Sequence, residues 1–114
     1  MAKDGADPDP INQEMGRRVA EERRARGWTQ KQLAENTGWS EADADAGKAR
    51  GMSPSRIANY EQGERRFSLE EAEMFATAFG DLPSAYFMCV VDRREASALA
   101  ALRATPGPKT VARL

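Results

Sequence analysis

Ser53, Ser55, Arg56 and Asn59 bring to one short segment the side-chain chemistry that can read a nucleic-acid base edge. An Asn amide offers a donor and an acceptor together and suits adenine. An Arg fork suits guanine or a phosphate, and a Ser hydroxyl suits either. Such groups work only from a helix whose N-terminal end can enter a groove, on a scaffold held by backbone contacts. The segment meets that need. Ser53 is an N-cap, Pro54 stands in the first turn where a missing N–H costs nothing, and Gly63 is a stop. Ile57 and Tyr60 fall one turn apart and mark the inward face. The base-contacting residues expected from this chemistry are Ser55, Arg56 and Asn59.

A second capped helix must brace this reader. Thr29 is its N-cap, the helix is expected over about Gln30 to Thr37, Leu33 and Ala34 face inward, and Gly38 ends it. Its first turn, with Gln30 and Lys31, presents backbone N–H groups and the positive end of a helix dipole, which favour a phosphate. Ser53, Arg65 and Arg66 complete the expected phosphate set.

The remaining elements read as further helices. Met1 to Pro10 is polar, carries two prolines and a glycine, and reads as a disordered arm. A helix is expected from about Ile11 to Arg26, with Ile11, Met15 and Val19 inward and Gly27 as its stop. Ser68-Leu69-Glu70-Glu71 has capping-box spacing and opens another to Phe79, with Leu69, Ala72, Phe75, Ala76 and Phe79 on one face. Pro83 opens a short one to Cys89 or Val90. The alanine-rich run from Asp92 to Ala104 reads as a last helix, broken by Thr105-Pro106-Gly107-Pro108. No useful strand alternation occurs, so the fold class is all-α. The domain is expected over residues 11–91, followed by a C-terminal helix and tail over 92–114.

Between the two capped helices lie residues 39–51, Trp-Ser-Glu-Ala-Asp-Ala-Asp-Ala-Gly-Lys-Ala-Arg-Gly, where a tight turn is usual. Ser40 can cap a short helical piece over Glu41–Ala46, but Gly47 and Gly51 weaken it, and the composition reads as a solvated, flexible inserted loop. Glu41, Asp43 and Asp45 alternate like calcium ligands. The glycine falls at the seventh loop position, however, and Met52 stands where a bidentate Glu is required, so no calcium loop is expected. The acidic run is placed away from any phosphate. Trp39 fits either a core plug or an exposed contact.

Composition removes whole classes of chemistry. The 114 residues contain no His and one Cys, so no histidine triad, no Cys/His zinc cluster and no internal disulfide can form. No enzyme, metal, cofactor or small-molecule substrate is expected. Cys89 lies in an apolar run and reads as a buried structural thiol. Hydrophobic residues make up 40% and charged residues 31%, as in soluble domains, and no apolar run is long enough to span a bilayer. A cytoplasmic location is expected, with no membrane partner. Net charge is −1, yet Ile11 to Ser68 holds eleven Lys or Arg against nine Asp or Glu, a mild basic bias.

Arg18-Val19, Arg23, Gly27-Trp28-Thr29-Gln30-Lys31-Gln32-Leu33-Ala34 and Ser53-Pro54-Ser55-Arg56-Ile57-Ala58-Asn59-Tyr60-Glu61-Gln62-Gly63 resemble the phage-repressor (Cro/CI, or Xre) helix-turn-helix family. The resemblance runs from about Met15 to Met88. It implies a lambda-repressor-like five-helix domain, here with an extra C-terminal helix, whose third helix reads bases with Pro54, Ser55 and Asn59 while Gln30, Arg65 and Arg66 touch phosphates. It implies an ion pair between Arg23 and Glu61 that locks the first helix to the third. It also implies a DNA-binding transcriptional regulator, a repressor of prophage type, that binds double-stranded DNA as a homodimer. Leu99 and Leu102 could supply the dimer contact. The alternative is a non-catalytic protein-interaction module on the same scaffold that no longer reads DNA.

Overall fold

A carboxylate caps the first helix. In the computed structural model, which describes residues 9–104, the Asp9 side chain accepts from the N–H groups of Ile11 at 2.7 Å and Asn12 at 3.4 Å. Pro10 opens helix α1 (Pro10–Ala25) one residue before its expected start. Helices α2 (Gln30–Asn36), α3 (Glu41–Asp45), α4 (Pro54–Glu61), α5 (Leu69–Phe79), α6 (Ser84–Phe87) and α7 (Arg93–Ala104) follow. Among the described residues there is no strand, and no helix is long and apolar enough to cross a membrane. The chain is all-α. The remainder of the expected arm and the tail beyond Ala104 lie outside the described residues.

Caps decide where the helices begin. Thr29, Ser40, Ser53 and Ser68 each accept from the backbone N–H three residues on, and Thr29–Gln32 and Ser68–Glu71 form reciprocal capping boxes. Helix α6 is shorter than expected, because Cys89 takes a left-handed φ of 63° and Val90 donates back to the Ala85 carbonyl at 2.9 Å. That is the Schellman closure with Cys where Gly is usual. Arg18 fixes the corner by donating to the carbonyls of Tyr86 at 2.7 Å and Val91 at 2.6 Å. Cys89 is half-buried rather than buried, and burial pushes its thiol pKa up.

The core is aromatic. Phe67 and Phe75 meet Tyr60 edge-on, and Phe79 stacks between Trp28 and Phe87 at 5.6 and 5.3 Å. Met15, Val19, Leu33, Ile57 and Ala72 fill the gaps. Two expected inward residues point out: Ile11 is 51% exposed and Leu69 is 60% exposed. Both occupy the first turn of their helices.

Two buried features on α1 have no signal in the hydrophobic pattern. Gly16 lies so close to α4 that an added Cβ would sit 2.1 Å from the Tyr60 carbonyl oxygen. The Glu22 carboxylate, also buried, accepts from Arg26 and Arg93 at 3.0 Å each and from the Tyr86 hydroxyl at 3.4 Å. It ties α6 and α7 to α1.

Gly16→Ala is expected to lower stability by about 1–3 kcal/mol in urea unfolding through overpacking, although helix propensity alone predicts a gain of about 1 kcal/mol. A more stable Ala variant would mean that α1 and α4 can separate freely at this point. A second expectation concerns acid. Hydrogen bonds from Arg17, then Arg18, hold the Glu14 carboxyl down from an ordinary 4.5 to about 2. Its stabilisation is therefore complete above pH 4.5 and disappears as pH falls toward 2. Urea midpoints measured across that window should fall, and Glu14→Gln should start lower at neutral pH and fall less.

Candidate nucleic-acid interface

Helix α4 is held on three sides. On the α1 side the Arg23 guanidinium grips Glu61 with both branches, Nε to Oε2 at 2.7 Å and Nη2 to Oε1 at 3.0 Å, and its third donor reaches the Trp28 carbonyl at 2.8 Å. The expected Arg23–Glu61 pair is therefore formed, and its hydrogen bonds with Glu61 raise the Arg23 pKa. On the α2 side Gln30 Nε2 donates to the same Glu61 Oε1 at 3.0 Å. One nearly buried carboxylate thus fixes the end of α4 to both preceding helices.

On the α5 side, Arg56 is engaged within the fold. Its side chain does not project from the helix end. It donates to the Tyr60 hydroxyl at 3.2 Å and pairs with Glu71, which also accepts from Tyr60. The cause is helical spacing. Arg56 and Tyr60 are one turn apart, on the side from which α5 brings Glu71. Burial alone would raise the Glu71 carboxyl pKa, but hydrogen bonds from Tyr60 and the Ser68 N–H, together with the Arg56 charge, outweigh it and lower the pKa. In the sequence Glu71 carries only the spacing of a capping-box residue. Its partners lie fifteen and eleven residues away, and no local pattern reports them.

What faces outward is a different row. Ser55, Asn59 and Gln62 recur at spacings of four and three residues, so they share a stripe. Ser55 and Gln62 are exposed, Asn59 is partly so, and their side chains have no partner among the described residues. Pro54 stands at the first turn beside them, and the Ser53 hydroxyl accepts from the Arg56 N–H at 3.2 Å. Gln62 was not anticipated, because it lies past the first turns of the helix.

The expected phosphate residues divide in the same way. Arg65 is exposed and unpaired among the described residues. Arg66 donates to Asn12 Oδ1 at 3.0 Å and stands 3.4 Å from Asp9. The Gln30 side chain is occupied by Glu61, which leaves its backbone N–H at the start of α2 as the group available to an anion. Lys31 is exposed, with Glu41 3.6 Å away.

Residues 39–51 are not a plain loop. Ser40 caps α3, its oxygen accepting from Asp43 N–H at 3.1 Å, and the alanines between the acids suffice for one helical turn. Trp39 packs partly buried against the core and Met52 is wholly buried, so an apolar anchor stands at each end of the excursion. Thr37 joins them. Its hydroxyl donates to the Ala34 carbonyl at 2.6 Å and accepts from the Met52 N–H at 2.8 Å. Gly51, with φ of 67°, lies where a Cβ would sit 2.5 Å from the Thr37 carbonyl oxygen. The chain therefore leaves and returns at one point, and α2 packs on α4 across it.

Residues 14–81 match the family described as "Helix-turn-helix domain". The chain belongs to the helix-turn-helix domain family. The match begins within α1, runs through the excursion and ends just past α5, so α6 and α7 lie beyond it. Comparisons with curated proteins and with solved structures gave no match. Helix-turn-helix membership points to a DNA-binding regulator.

Thr37→Val removes the acceptor from the Met52 N–H and should cost about 1–2 kcal/mol in urea unfolding, whereas Thr37→Ser should retain most of that stability. Equal losses in both variants would assign the effect to the Thr methyl group instead.

Proposed function

We propose that this chain is a sequence-specific DNA-binding transcriptional regulator, of the repressor type that the phage-repressor resemblance implies, with α4 as its reading helix. The carrying observation is the outward row Ser55, Asn59 and Gln62 on a helix whose other faces are tied to α1, α2 and α5. Side chains that specify a base must be free while the backbone beneath them is rigid, and this row combines both conditions.

Asn59 and Ser55 are the base-reading residues in this proposal, with Pro54 packing at the groove edge. Arg56 acts through α5, setting the helix angle instead of touching a base. The start of α2, Ser53, Lys31, Arg65 and Arg66 hold the phosphate backbone. The regulator acts as a homodimer on a two-fold symmetric operator, with half-sites one helical turn apart. The exposed apolar residues Leu99 and Leu102 on α7 support a self-association surface there.

Selection of bound duplexes from a random pool tests this directly. Enrichment of a symmetric site is expected. Asn59→Ala should relax discrimination at one base pair by about 1–3 kcal/mol, and Arg65→Ala should weaken all sequences alike and reduce the salt slope by about 1. A pool that stays unenriched would favour the protein-interaction module.

A further inference from the structure

The excursion carries its charges in two blocks. Glu41, Asp43 and Asp45 lie on α3, before the turn at Gly47, and Lys48 and Arg50 lie after it on the way back to α4. Both cations are exposed, and neither has a partner among the described residues. Most other arginines of the first four helices are paired internally: Arg17, Arg18, Arg23, Arg26 and Arg56 all bind carboxylates. The pair on the return segment joins Arg24 and Arg65 as exposed cations without a partner among the described residues.

Its position is fixed at both ends. The Lys48 N–H donates to the Asp43 carbonyl at 2.8 Å, closing α3, and the Met52 N–H is held by Thr37. Arg50 precedes the α4 cap Ser53 by three residues, so its Cα lies within about 10 Å of the cap. The first acid of α3 is drawn to Lys31. Arg50 is thus exposed close to the groove-entering end of the reading helix, with exposed Lys48 two residues before it.

From this geometry we infer that Lys48 and Arg50 form an added phosphate-contacting segment, so that the excursion widens the DNA footprint instead of merely standing clear of it. The inference rests on α4 being the reading helix. The return segment of an excursion inserted between the two members of the pair would then contribute backbone affinity without sequence information.

The test is the salt dependence of duplex binding by the intact chain, using a mixed-sequence duplex and, once selected, the preferred site. Each neutralised phosphate contributes about 0.9 to the slope of log K against log salt. Lys48→Ala/Arg50→Ala should reduce the slope by about 2, with base preference unchanged, and Lys48→Arg/Arg50→Lys should restore it. Because both side chains are exposed and unpaired, circular dichroism and urea midpoints should match the parent. A double variant with the parental slope and affinity, while Arg65→Ala still reduces both, would overturn the inference and leave α4 as reader. A parent chain with no affinity for duplex at low salt would overturn both.

Discussion

The return of the chain to Thr37 is the constraint on which the arrangement depends. A helix pair can present its second member to a groove only at a fixed tilt, and thirteen intervening residues would ordinarily release that tilt. Here Trp39 and Met52 bury an apolar group at each end of the excursion, and the Thr37 hydroxyl accepts from the Met52 N–H. Closing a longer loop costs little, since each doubling adds about 0.6 kcal/mol. One hydrogen bond and a buried Met side chain are of the size needed to offset it. Once the loop is closed, Glu61 locks the other end of α4 to Arg23 and Gln30, and Gly16 lets α1 approach the α4 backbone.

The same economy explains a helix-turn-helix protein whose whole chain carries a net charge of −1. Guanidinium groups here are largely structural. Arg18 closes the α6 corner, Arg26 and Arg93 meet the buried Glu22, and Arg56 stands on Glu71. Their positive charge is spent on carboxylates of the fold and adds little to the outer field. The cations left over, among them Lys48, Arg50 and Arg65, flank the two ends of α4 in sequence. Distribution, and not the sum, decides what the surface can attract.

Much of this was legible in the chain itself, because capping and periodicity are local. Thr29, Ser53 and Ser68 mark helix starts to the residue, and Gly27, Gly38 and Gly63 follow the helices they end. The Arg23–Glu61 pair came from family resemblance. What escaped depends on which surfaces meet. The outward direction of Ile11 and Leu69, the capture of Arg56 by Glu71 and the burial of Glu22 all need the tertiary arrangement. Gly16 did leave a trace, since a glycine inside a helical run has a cost that close packing can repay. The helical turn within the excursion was also partly visible, because Ser40 is a good cap, but its glycines argued against it.

Amide chemical-shift mapping during titration with the selected duplex, at moderate salt, tests the central claim most directly. Groove recognition by α4 predicts the largest changes at residues 53–59, at the start of α2 and at 64–66, with changes at 48–50 if the return segment also touches phosphate and α7 little affected. Shifts confined to α5 and α7, or an unperturbed spectrum at saturating duplex, would contradict groove recognition by α4.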